Sequence, residues 1–256
     1  MADDGLRALI NAVAQAADHA LDLWAGGATK VDRWEKEPGQ PVCEADIAVD
    51  RMLHEALGAI APDAGWLSEE TADNPARLAN ERLWVVDPID GTRDFLAGRR
   101  GWTVSVALIE QGRPVIGILA APARNELWIA QAGQGARRNG KVLAAASRTK
   151  LAGARVPADR LAAGDHDLIA VDRPNSIALR VAMVAADEAD MAVGLRRGAE
   201  WDIAAATLIA QEAGASVTDA LGQPLCFNKP DPTDFGILCT APGIHAAALE
   251  RLAGRI

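Results

Sequence analysis

The residues best suited to chemistry stand where an apolar run ends at two carboxylates, Trp84-Val85-Val86-Asp87-Pro88-Ile89-Asp90-Gly91-Thr92. An aromatic and two β-branched residues before Asp87 read as a buried strand, so the core supports the carboxylates while their heads face solvent. Pro88 stiffens the turn and removes one amide donor, leaving neighbouring carbonyls to point where the turn directs them. Gly91 lets the backbone approach a ligand closely, and the Gly91 and Thr92 amides suit a phosphate where they open a helical turn. Two carboxylates and a carbonyl form a hard-oxygen set matched to magnesium. The same residues also suit a plain strand-to-turn corner with Asp as its turn residue, and on this segment alone both readings stand.

Two further acidic segments narrow the choice. Trp66-Leu67-Ser68-Glu69-Glu70-Thr71 follows a short apolar stretch, and Glu200-Trp201-Asp202-Ile203-Ala204-Ala205-Ala206 places Asp202 at the start of a helical segment. By itself Asp202 reads as an N-cap or first-turn acid. Taken together, Glu-Glu-Thr at 69–71, Asp-Pro-Ile-Asp-Gly-Thr at 87–92 and Trp-Asp-Ile-Ala-Ala at 201–205 resemble, in order and approximate spacing, the inositol monophosphatase family of magnesium-dependent, lithium-sensitive phosphatases. The resemblance runs along nearly the whole chain. It implies a layered α+β/α/β fold, an α-β-α-β-α sandwich. It also implies two or three Mg2+ ions held by the side chains of Glu69, Asp87, Asp90 and Asp202 and by the Ile89 carbonyl. Asp46, with Thr92, takes the place of the pair that orients the attacking water, and Glu69 bridges to the ion carrying it. The chemistry fits such a cluster, because a phosphate monoester repels an incoming nucleophile until cations neutralise it, acidify the water and receive the leaving alkoxide.

Departures from the family pattern bear on the substrate. Cys43 stands before Glu44-Ala45-Asp46 where the family has Thr or Ser, and a thiol is a poor helix cap. In Asn175-Ser176-Ile177-Ala178-Leu179-Arg180, which resembles the family's substrate-cleft segment, Asn175 replaces a glycine. Four residues after Asp190, where inositol-directed members carry a sugar-contacting carboxylate, this chain has Gly194. Glu200-Trp201-Asp202 and the segment 224–232 instead resemble bacterial 3'(2'),5'-bisphosphate nucleotidases. The resemblance therefore implies hydrolysis of the 3'-phosphate of 3'-phosphoadenosine 5'-phosphate or a similar small anionic phosphate. Gly91, Thr92, Arg93, Ser176, Glu200 and Asp202 are the expected substrate contacts. Arg93, Arg99, Arg100, Arg196 and Arg197 are expected to receive a second phosphate, and Trp34 and Trp102 to stack a base. Inositol 1-phosphate or histidinol phosphate is the alternative substrate. A non-catalytic scaffold is a further alternative, against which every metal carboxylate is present.

The positioning elements follow from periodicity. Leu6, Ile10, Val13, Ala17, Leu21 and Trp24 form a helical stripe over 6–24 that Gly26-Gly27 stops. Residues 25–41 read as a mobile surface loop, one that closing over the site would make a lid. A second helix spans 44–60 with Ile47, Met52, Leu53 and Leu57 inward. Runs at 84–86, 103–109, 115–119 and 126–130, separated by turn residues, predict an antiparallel meander. Beyond residue 141, strands at 168–171, 191–193, 215–218 and 235–239 alternate with helices at 176–186, 202–213 and from 244. The chain thus divides into halves 1–145 and 146–256, with the active site at their seam.

Composition bounds the rest. The 256 residues are 50% hydrophobic and 24% charged, enough for a substantial core. The net charge of -9 argues against a nucleic-acid polymer or an anionic membrane as partner. Cys43, Cys226 and Cys239 show neither disulfide nor zinc-ligand spacing, and the acidic N-terminus is unlike a signal peptide, so a cytoplasmic enzyme is expected. The scattered histidines (His19, His54, His166, His245) read as surface or structural. A homodimer is the further partner the family resemblance implies.

Overall fold

In the computed structural model, residues 3–24, 31–37 and 40–255 are described. The first helix, α1 (Asp3–Leu23), leads to a hairpin of β1 (Arg33–Glu37) and β2 (Gln40–Cys43), then α2 (Glu44–Ile60) and β3 (Gly65–Ser68). The meander follows: β4 (Arg82–Asp90), the short α3 (Thr92–Leu96), β5 (Thr103–Glu110), β6 (Arg113–Ala121), β7 (Glu126–Gln131), β8 (Ala136–Arg138) and β9 (Lys141–Val142). The remainder alternates through β10 (Arg155–Pro157), β11 (Ile169–Val171), α4 (Ile177–Ala185), β12 (Met191–Ala199), α5 (Glu200–Glu212), β13 (Ser216–Thr218), β14 (Thr233–Thr240) and α6 (His245–Leu252).

Strand alternation explains the layering. In β4, Trp84 and Val86 face the α1–α2 pair, whereas Leu83 and Val85 face α4 and α5 on the other side of the sheet. That sheet runs β3-β4-β5-β6-β7-β8-β9, with β3 parallel to β4 and the rest antiparallel. A second sheet, β12-β14-β13, places Ala192, Ile237 and Cys239 against α4 and α5, while Met191 and Leu238 turn to α6. The order of layers is therefore α-β-α-β-α. Helix α5 lies between two sheets, which is why every residue from Ile203 to Ala210 is buried. Its alanines permit a close crossing: a Cβ on Gly117 of β6 would lie 2.6 Å from the Ala205 carbonyl oxygen. Among the described residues, no helix is long and apolar enough to cross a membrane.

Two expectations need correction. Within the segment read as a mobile loop, 33–37 and 40–43 pair as an antiparallel hairpin, with Trp34 opposite Val42; residues 25–30 and 38–39 lie outside the described residues. In α2, Met52 is exposed and Ile47 only half-buried, and Val49 joins Leu53 and Leu57 on the inward face. The Val49, Leu53, Leu57 stripe follows the i, i+4 period, to which Met52 does not belong.

Candidate active site

The carboxylate turn is shaped by a break in the ladder. Asp87 pairs with Ser105 and Asp90 with Thr103, so β4 carries one residue more than β5 across this interval. Pro88 supplies no amide there, which favours such a bulge. The Asp87 Oδ1 atom accepts from the Ile89 amide at 3.0 Å, tightening the turn. Gly91 follows at φ 97°, and a Cβ there would sit 2.7 Å from the Gly101 carbonyl oxygen and 2.9 Å from the Ser176 amide nitrogen. Only glycine fits. Helix α3 opens immediately at Thr92, whose hydroxyl donates to the Ile89 carbonyl at 3.1 Å.

Other elements bring the remaining acids to this turn. Asp90 meets the start of α4: its Oδ2 accepts from the Ser176 hydroxyl at 2.5 Å and the Ala178 amide at 2.8 Å, and its Oδ1 from the Ile177 amide at 3.3 Å. Asp202, in the first turn of α5, accepts from the Ala199 amide at 3.0 Å. Glu69 follows β3, its amide donating to the Val86 carbonyl at 3.3 Å. Asp46, in the first turn of α2, accepts from the Cys43 amide at 2.8 Å and the Cys43 thiol at 2.9 Å. Burial and the Asp46 charge push that thiol up to about 12, so it remains a donor. Asp46 thus supplies its half of a capping box through the Cys43 amide, while the Cys43 thiol, itself donating to Asp46, caps no amide of α2.

A cavity of about 180 Å³ is walled by Glu69, Asp87, Ile89, Asp90 and Asp202, with Gly91, Thr92, Arg93, Asn175 and Pro41. Burial raises Asp87 well above the ordinary carboxylate range, reinforced by Glu69, Asp90, Asp202 and Asp46. Asp202 is raised by burial and then by Asp90 and Glu69. Asp90 is also raised by burial, against the opposing hydrogen bonds of Ser176 and Ala178 and the charge of Arg180. Among the described residues, no three acidic, histidine or cysteine side chains close up as a ready-made ligand set. The donor chemistry nevertheless fits a hard cation, because clustered carboxylates that repel one another in a buried site, beside a carbonyl, are relieved by divalent positive charge.

A second cavity of about 590 Å³ adjoins the first through Arg93 and Asp202. Arg173, Arg180, Arg196 and Arg197 also line it, together with Gly194. Arg180 was missed by sequence reasoning, although its place four residues after Ser176 puts both on one helix face. Its guanidinium donates to the Asn175 carbonyl at 2.7 Å and the Ser176 carbonyl at 3.2 Å.

Several expected contacts lie elsewhere. Ser176 is buried and outside both cavity walls, because its hydroxyl is spent on Asp90 and on capping Leu179. Glu200 is likewise buried, accepting from the Asn228 amide at 2.7 Å and the Lys229 amide at 3.1 Å, so it anchors that loop. Arg99 and Arg100 line a third cavity, which meets the first at Asn175 and the second at Arg173, with Arg99 paired with Asp94 and Arg100 donating to the Ala123 carbonyl. Trp102 is fully buried against Phe95 and Trp24, leaving no face for a base, whereas Trp34 is half-exposed on β1.

The profile of the inositol monophosphatase family matches residues 2–255. The chain belongs to the inositol monophosphatase family. Members of this family are metal-dependent phosphoric monoester hydrolases. The chain is 34% identical to the inositol-1-monophosphatase of Mesorhizobium japonicum over 233 residues, 84% of this chain and 86% of the relative. It is 33% identical to the 3'(2'),5'-bisphosphate nucleotidase CysQ of Salmonella typhimurium over 215 residues, 78% of this chain and 85% of the relative. Among solved structures, the Thermotoga maritima IMPase superposes with a TM-score of 0.84 at 27% identity, covering 98% of this chain and 97% of its own.

Proposed function

We propose that this family member removes a phosphate from a small substrate bearing a second anionic group, of which 3'-phosphoadenosine 5'-phosphate is the leading case. The observation that carries this reading is the pairing of cavities: one walled by four carboxylates, the next lined by five arginines and by Gly194. A carboxylate at 194 would stand among those arginines, of which Arg173 and Arg197 pair with Asp159 and Asp231, and would suit a neutral polyol, while a glycine there keeps the wall cationic toward an anion. Inositol 1-phosphate or histidinol phosphate is the competing substrate, and the similarity to an inositol-1-monophosphatase is what favours the first of these.

Glu69, Asp87, Asp90, Asp202 and the Ile89 carbonyl would hold the Mg2+, in two or three ions. When bound, Mg2+ supplies the positive charge that polarises the phosphoryl group and lowers the pKa of water. Asp46 and Thr92 would orient the water, the Thr92 hydroxyl turning from the Ile89 carbonyl to accept the water's proton while passing its own to the Asp46 carboxylate, which ends the step protonated. Arg93 stands at the junction of the cavities, where the scissile phosphate and the rest of the substrate meet. Ser176 and Glu200 serve by holding Asp90 and the 228–229 loop.

In this reading the halves 1–145 and 146–256 share the site, the first giving Glu69, Asp87 and Asp90 and the second Asn175 and Asp202. The enzyme is placed in the cytoplasm, where the free Cys43, Cys226 and Cys239 suit a reducing medium, with homodimerisation as in its family and no nucleic-acid polymer as partner. A rate panel with 3'-phosphoadenosine 5'-phosphate, inositol 1-phosphate and histidinol phosphate in Mg2+ tests the substrate. The highest kcat/KM is expected for the nucleotide, and a clear advantage for either of the others overturns that choice.

A further inference from the structure

We infer that Asp50 is a positioning residue for Glu69, because its buried carboxylate binds the hydroxyls on both sides of that side chain. The inference rests on the reading of Glu69 as a metal ligand. Asp50 lies one turn after Asp46 on α2, so the helix presents both carboxylates toward the same region. Asp50 Oδ1 accepts from the Ser68 hydroxyl, and Asp50 Oδ2 accepts from the Thr71 hydroxyl at 2.8 Å. Asp50 and Ser68 are both buried.

An ionised carboxylate only accepts, so both hydroxyl protons are committed to it. The Ser68 oxygen is then left as an acceptor, and the Glu70 amide approaches it at 3.4 Å. On the sheet side, the Glu69 amide reaches the Val86 carbonyl at 3.3 Å. The segment 68–71 is therefore tied to β4 through its backbone and to α2 at both ends through Asp50. Its partners there are two hydroxyls and not a cation, which is an expensive use of a buried carboxylate for packing alone. It is well spent if the loop must hold one ligand in register, since partners behind a metal ligand set its orientation and their loss commonly costs 10- to 100-fold in affinity, by general order of magnitude.

The test compares Asp50→Ala, Asp50→Asn and Glu69→Gln with the parent enzyme. Mg2+ binding is measured by calorimetry without substrate, and thermal unfolding is followed in EDTA. Asp50→Ala is expected to weaken Mg2+ binding by about tenfold or more. Asp50→Asn, which keeps one acceptor oxygen and offers a donor to the other hydroxyl, is expected to lose measurably less. If Asp50→Ala lowers the Tm in EDTA but leaves the Mg2+ Kd unchanged, Asp50 is structural and the inference is overturned. Should Asp50→Ala fail to fold, an unchanged Kd in Asp50→Asn overturns it instead. The Glu69→Gln arm separates the two levels: normal Mg2+ binding there sinks the metal-site reading itself, whereas weakened binding there with normal binding in both Asp50 variants sinks the positioning role alone.

Discussion

Replacing Ser176, which is not part of the cavity wall, with alanine disturbs the site through the wall residue Asp90. The Ser176 hydroxyl donates to Asp90 Oδ2 at 2.5 Å and accepts from the Leu179 amide at 2.9 Å, so one atom serves a buried carboxylate and caps α4. Losing a hydrogen bond to a charged group costs about 1.5–3 kcal/mol. Removing a serine N-cap costs about 1 kcal/mol. The two do not add fully, because the Ala178 and Ile177 amides continue to hold Asp90. A loss of about 2–3 kcal/mol is therefore expected in urea unfolding of the metal-free protein. Freed on one side, Asp90 also presents its oxygens less uniformly, and Mg2+ affinity is expected to fall by about tenfold. Unfolding in EDTA and in saturating Mg2+ measures both effects. A stability loss below about 0.5 kcal/mol would refute the assigned hydrogen bonds, being within the range of an ordinary surface substitution. A full stability loss with unchanged Mg2+ affinity would refute the claim that Asp90 is a ligand held in place by α4.

Gly194→Glu should fold, because the nearest atoms to a new Cβ are Ile237 Cγ2 at 3.6 Å and Ile177 Cδ1 at 3.8 Å. Its charge among the arginines is expected to lower the kcat/KM ratio of 3'-phosphoadenosine 5'-phosphate to inositol 1-phosphate by about tenfold, the worth of roughly 1.4 kcal/mol; an unchanged ratio contradicts the anion role of the second cavity. Trp102→Ala is expected to cost about 3–5 kcal/mol in stability, and a variant that keeps its stability while losing nucleotide affinity would restore the base-stacking role. His245, held by Thr218 at 3.2 Å and Thr240 at 3.0 Å, has its pKa lowered by burial. The unfolded chain therefore binds the His245 proton first, so this residue's contribution falls as pH drops from about 6.5 toward the lower folded value. Subtracting the stability–pH curve of His245→Gln from that of the parent should isolate a loss in that window, and a flat difference contradicts it.

How much the sequence disclosed depended on whether a signal was local. The strand ending at Asp87 and the helices around Leu53 and Ile203 were legible because periodicity and β-branching are properties of short windows. The meander emerged from the same signals with its turn residues. The hairpin at 33–43 was not, since its charged, short strands carry little apolar alternation and Pro41 argues against a central strand. Met52 was misplaced because an apolar side chain on a helix does not announce that it lies one residue off the buried stripe. The carboxylates were visible as types, but the partners that aim them were not: Ser176 is 86 residues from Asp90, and the Glu200 contact with Asn228 spans 28. From the sequence alone, Ser176 and Glu200 therefore read as substrate contacts. Trp102 was misread for a similar reason, as the charges of Arg99 and Arg100 beside it suggested exposure while Phe95 and Trp24 enclose it.

Mn2+ substitutes for Mg2+ in oxygen-rich sites and scatters anomalously, so a crystal soaked in Mn2+ locates the ions without reference to activity. Two or three anomalous peaks are expected within coordination distance of Glu69, Asp87, Asp90, Asp202 and the Ile89 carbonyl oxygen. A map with no peak in that cavity, from crystals whose parent solution hydrolyses phosphate monoesters in Mn2+, would contradict the metal assignment.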